Sequence, residues 1–122
     1  MTPQIRLQAY AQALATQQWE NISPFMHPDI CVTFSEGTHK GIDAVEAAFR
    51  KTFALIQDET YTISNTHWIR SDENMAVCIY NFHWSGLING QMASGGGRGT
   101  SVLVNEDGNW LILTEHLGPN AK

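Results

Sequence analysis

Glu115 and His116 are adjacent near the end of the 122-residue chain. A carboxylate that orients an imidazole is a common proton-transferring pair. In an extended segment, however, successive side chains point to opposite faces. Alternation places Trp110, Ile112, Thr114 and His116 on one face, and Leu111, Leu113 and Glu115 on the other. The two are therefore not read as a dyad. His116 is read as a polar group at a pocket or a subunit interface, or as a structural histidine bonded to backbone. His27, His39, His67 and His83 show neither His-x-His nor helical three- or four-residue spacing, so no metal site is expected and no cofactor is implied.

The run Ser94-Gly95-Gly96-Gly97-Arg98-Gly99 lacks the Gly-Lys-Ser/Thr ending of a phosphate loop and follows a hairpin signal. Glycines within a strand mark a bulge or a close backbone approach. Arg98 is expected to point into a cavity, because its glycine neighbours leave room. No Gly-x-Ser-x-Gly elbow exists, and neither Cys31 nor Cys78 has a base nearby in sequence. Asp29, after Pro28, reads as a turn residue. Glu36 follows Phe34 by two, so the pair share a face if the chain is extended. It is either a base or a solvated loop acid.

Composition narrows the partners. An apolar fraction of 43% and a charged fraction of 16% describe a globular chain. Seven basic and twelve acidic residues give a net charge of −5, which disfavours nucleic acid and anionic membrane surfaces. No apolar run approaches the ~20 residues of a membrane span. The opening Thr2-Pro3-Gln4-Ile5-Arg6 does not read as a leader, and both cysteines sit in apolar runs. A cytoplasmic location with reduced thiols is expected. The length fits one domain, 1–122.

The elements that must position these residues follow from periodicity. Thr2 caps a helix with Pro3 at its first position, and Leu7, Tyr10, Ala11 and Leu14 carry it to about residue 18. Ser23-Pro24 opens a short turn. Ile30 to Phe34 is rich in strand formers, and a loop bracketed by Gly37 and Gly41 follows. Val45, Ala48, Phe49, Thr52, Phe53 and Ile56 form one face of a second helix from Ile42. From Thr60 the period becomes two. Strands are predicted over 60–70, 75–87, 91–104 and 109–117, with Asn89-Gly90 and Asp107-Gly108 as turns. Helices first and hairpins afterwards give an α+β domain, with helices on one face of a curved sheet and a cavity at its open end.

The ordered pieces Tyr10, His27-Pro28-Asp29, Lys40-Gly41, Gly97-Arg98-Gly99-Thr100, Asp107-Gly108-x-Trp110 and Glu115-His116 resemble the SnoaL-like branch of the NTF2-like superfamily. The resemblance implies an α+β cone, a homodimer through the sheet, and relatives that include steroid delta-isomerase, polyketide cyclases and dehydratases. The segments 73–80 and 100–116 are similar to the association domain of calcium/calmodulin-dependent kinase II. Aligned with the isomerase, Tyr10 falls on its oxyanion-stabilising tyrosine. Its general-base aspartate falls on Phe34, which cannot take a proton. The pocket arginines of the association domain fall on Phe82 and Ser101, with Arg98 close by.

The resemblance thus implies a small apolar or carbonyl-containing ligand in a pocket formed by Tyr10, Phe34, Phe53, Phe82, Arg98 and His116. Acid–base chemistry would use Tyr10 as donor and Glu36 or His116 as base. The alternative is a non-catalytic oligomerisation module.

Overall fold

A computed structural model describes residues 2–119 of the protein. Helix α1 spans Pro3–Ala15, with the Thr2 hydroxyl accepting from the Ile5 amide at 3.1 Å. A one-turn helix α2, Trp19–Ile22, runs into a 3-10 turn at Ser23–Phe25. Strand β1 is Met26–Phe34 and β2 is Gly37–Lys40. Helix α3 covers Ile42–Leu55. Four long strands complete the chain: β3 Gln57–Ser71, β4 Met75–Ile88, β5 Gln91–Glu106 and β6 Asn109–Pro119.

The six strands form one curved, unclosed sheet in the order β2-β1-β6-β5-β4-β3. All neighbours are antiparallel except β1 and β6, which run parallel. Helix α1 packs on β3 and α3 on β1. Leu7, Tyr10 and Leu14 of α1 meet Val45 and Phe49 of α3, and Ile30, Val32, Cys78, Leu103 and Ile112 of the sheet, in one apolar core. This is the expected α+β cone.

Two details differ from the sequence reading. Residues 37–40 form an edge strand, not a loop. Gly37↔Phe34 and Lys40↔Cys31 close a hairpin on β1, with Thr33 and Thr38 hydroxyls bonded at 3.0 Å. Strand β1 also begins at Met26, four residues earlier than Ile30, although Pro28 lies inside it. Its register against β6 shifts between Met26 and Cys31, so Pro28 sits where the regular ladder is interrupted and its missing N–H costs no ladder bond.

Candidate functional site

The hollow side of the sheet holds a cavity of about 340 Å³. Its walls are aromatic: Phe34, Phe49, Phe53, Tyr61, Phe82 and Trp84 all line it. Phe34 stacks on Phe49 with ring centres 5.6 Å apart, and Tyr61 on Phe82 at 6.2 Å.

Strands β4 and β5 make room for these rings by a cross-strand rule. Trp84, Phe82 and Tyr80 stand opposite Gly95, Gly97 and Gly99. A Cβ at Gly99 would lie 2.5 Å from the Tyr80 ring, and one at Gly95 would lie 2.8 Å from the Trp84 indole nitrogen. The glycine run is therefore the bed of an aromatic row, as close backbone approach requires. Because these three glycines share one face, Arg98 and the other residues between them point to the opposite face.

The polar end of the cavity is Glu115. Its side chain lines the cavity, and the residue is 1% exposed. Strict alternation puts Glu115 opposite Trp110 and Ile112, yet all three are buried together. The reason is a β-bulge. Val102 pairs with Thr114 but Leu103 pairs with Ile112, so Leu113 is an extra residue in β6. One inserted residue reverses the facing of everything beyond it. Glu115 turns inward and His116 outward.

The Tyr10 hydroxyl donates to Glu115 Oε1 at 3.4 Å, while Oε2 has no hydrogen-bond partner among the described residues. Burial pushes the Glu115 carboxyl up to about 7, against the downward pull of the Tyr10 hydroxyl. Burial, reinforced by the Glu115 charge, holds the Tyr10, Tyr61 and Tyr80 hydroxyls well above the ordinary tyrosine range. Behind this end, Tyr80 and Ser101 hydroxyls are bonded at 2.8 Å.

A second carboxyl, Glu59, lines the same cavity and is half-buried. Burial raises it to about 7 as well, although the Gln17 amide, 3.4 Å from its Oε1, acts the other way. A carboxyl that titrates near neutrality in an apolar chamber can both take and give a proton.

Phe34, Phe53 and Phe82 line the cavity, and so does Glu36, at an exposed position where its Oε1 is 2.8 Å from His39 Nε2. Tyr10 is buried behind Glu115 and is not a lining side chain, so it reaches the cavity through that carboxyl. Arg98 and His116 are on the other face. With Asn65, His67, Asn81 and Thr100 they line a separate, shallower depression of about 450 Å³. The glycine facing accounts for Arg98, and the Leu113 bulge for His116.

Sequence reasoning passed over Glu59, Tyr61 and Trp84 as site residues, and it put Glu115 on the face opposite Trp110 and Ile112. The Glu-x-Tyr-x-Ile spacing of 59–63 was a usable signal for Glu59, because period two sets an acid on an apolar stripe. Nothing local marks the Leu113 bulge.

Among the described residues no group of three or more His, Cys, Asp or Glu side chains is placed to hold a metal ion, and no helix is long and apolar enough to cross a membrane. Cys31 and Cys78 are free, and burial raises the Cys78 thiol to about 11.

Several solved structures share this architecture. An NTF2-like superfamily protein from Salmonella enterica superposes with a TM-score of 0.87 at 18% identity, covering 96% of this chain and 87% of the other. A candidate dehydratase of the NTF2-like family from Streptomyces avermitilis gives 0.85 at 12% identity, with 97% and 93% covered. The association domain of calcium/calmodulin-dependent kinase II from C. elegans gives 0.72 at 16% identity, with 90% and 87% covered. At these identities the likeness is one of fold. No curated protein matches the chain in sequence. The family profile of the SnoaL-like domain matches residues 5–121, and with the cone and its chamber in place the chain belongs to the SnoaL-like domain family.

Proposed function

We propose that the chamber binds a small, largely apolar carbonyl compound and that Glu115 moves a proton on it. The observation that carries this reading is the free Oε2 of a buried carboxyl, lining an aromatic cavity. As carboxylate, Glu115 removes a proton from the carbon next to the carbonyl, leaving an enolate. As acid, it returns the proton to the same or a neighbouring carbon. Isomerisation, cyclisation and dehydration all begin with such a transfer. Tyr10 is a positioning residue that fixes Oε1 and leaves Oε2 for the ligand.

The test is hydrogen exchange at the α-carbons of 4-phenylbutan-2-one in deuterated water, followed by proton NMR. The protein should accelerate exchange over buffer, and Glu115→Gln should remove about 10²-fold or more of that acceleration. Equal rates with wild type and variant would sink the assignment.

A second reading rests on the outer face of the sheet, where Ile69 and Ile79 are exposed. That face serves a homodimer, and in an association module the dimer would be the function and the chamber incidental. Free thiols suit a cytoplasmic location. Light scattering at micromolar concentration should give twice the chain mass. A monomer would remove this reading.

A further inference from the structure

Among the described residues, no Lys, Arg or His lines the chamber, whereas Glu36, Glu59 and Glu115 all do. Six aromatic rings complete the wall. Acids facing one apolar volume without a cation repel an anionic ligand and are neutral or uncompensated in the empty protein. The three acids are not equivalent. Glu36 is exposed and already 2.8 Å from His39. Glu115 lies at depth, 1% exposed, with one oxygen unpartnered. Glu59 is half-buried, two residues before Tyr61, and Tyr61 pairs across the ladder with Trp84.

Resting on the chamber reading above, we propose that its ligand carries a basic nitrogen. The ammonium sits at Glu59 beside the Tyr61 and Trp84 rings, and the apolar body runs inward to Glu115. An ammonium suits this place on two counts. The ring faces of Tyr and Trp attract cations, most strongly where water is excluded. The Glu59 carboxyl, held partly protonated by burial, ionises when a cation arrives, and its contact with the Gln17 amide at 3.4 Å is long enough to yield. The Glu115 oxygen without a partner is an independent sign that a ligand's polar group belongs in the same volume.

A matched pair of probes tests this: 4-phenylbutan-2-amine, cationic at pH 8, and 4-phenylbutan-2-one, neutral and similar in shape. Calorimetric titration of the wild-type protein should give at least about 10-fold tighter binding of the amine. Glu59→Gln should cut amine affinity about 10-fold, and Trp84→Phe should weaken the amine more than the ketone. Circular dichroism and a melting curve establish that each variant is folded. Ketone binding equal to or tighter than amine binding, or amine affinity unmoved by Glu59→Gln, would overturn the cationic ligand while leaving the carbonyl reading in place. Binding of neither probe would overturn both.

Discussion

Glu115 and His116 share a peptide bond and face opposite environments. On the inner side of β5 and β6, Gly95, Gly97 and Gly99 lie under aromatic rings, Ser101 is buried, and Glu115 faces an apolar chamber. On the outer side, Arg98, Thr100 and His116 border a depression open to water. On the inner side, burial pushes up the Glu115 carboxyl and the Tyr10, Tyr61 and Tyr80 hydroxyls. On the outer side, Arg98 and His116 are exposed. Chemistry that needs a shifted pKa therefore belongs to the first side.

Substitution of neighbours should break this comparison most sharply at Gly97. A Cβ there would be driven into the Gly118 carbonyl oxygen and against the Phe82 ring at 3.1 Å. Gly97→Val should cost about 3 kcal/mol or prevent folding. Arg98→Ala, one residue away on the outer face, should leave the denaturant midpoint nearly unchanged. Similar losses from both would mean that the two faces are not distinct.

Next in size is the pH dependence carried by Glu115. An acid raised from 4.5 to about 7 keeps its proton in the folded chain over a pH range where the unfolded chain has released it. Stability therefore falls as pH rises between these values and levels off above them. The full difference is about 3 kcal/mol, or roughly 10 °C in Tm. Glu59, also raised, adds a smaller decline in the same direction. Glu115→Gln should flatten most of the slope between pH 5 and 8. Parallel melting profiles for wild type and Glu115→Gln would show that the carboxyl is not buried as described.

A smaller effect is expected from Tyr10→Phe. Loss of one hydrogen bond to Oε1 should cost about 1 kcal/mol. It should also move the Glu115 transition to higher pH, because the donor that favoured the charged form is gone. Unchanged melting and titration would remove Tyr10 as a positioning residue. The least effect on the fold itself is expected from Ile79→Asp on the outer face. Its stability should stay close to wild type and probe binding in the chamber should persist, while the homodimer proposed above would be lost, as light scattering would read.

The cone was legible because its signals are long. Thirteen residues of α1 and fourteen of α3 carry apolar faces, and the long strands follow period two with glycine turns. Phe34, Phe53 and Phe82 were legible as lining because aromatic residues on the inner stripe have no other volume to fill. The hydrogen-bonded heart of the site was not legible. It depends on Leu113, a single apolar residue that looks like any strand residue and whose insertion is decided by pairing with a strand far away in sequence. Short β2 escaped for a related reason, since a glycine and three polar residues become a strand only when β1 offers an edge.

The parallel contact between β1 and β6 has a consequence for biogenesis. The final strand of the domain slots between the first and the fifth, so the sheet is completed in its middle, not at its rim. Until that strand emerges from the ribosome, β1 and β5 each offer an unzipped flank, and about a hundred earlier residues wait without their keystone. Such late, long-range closure should make folding slow and leave the nascent chain reliant on shielding from its neighbours.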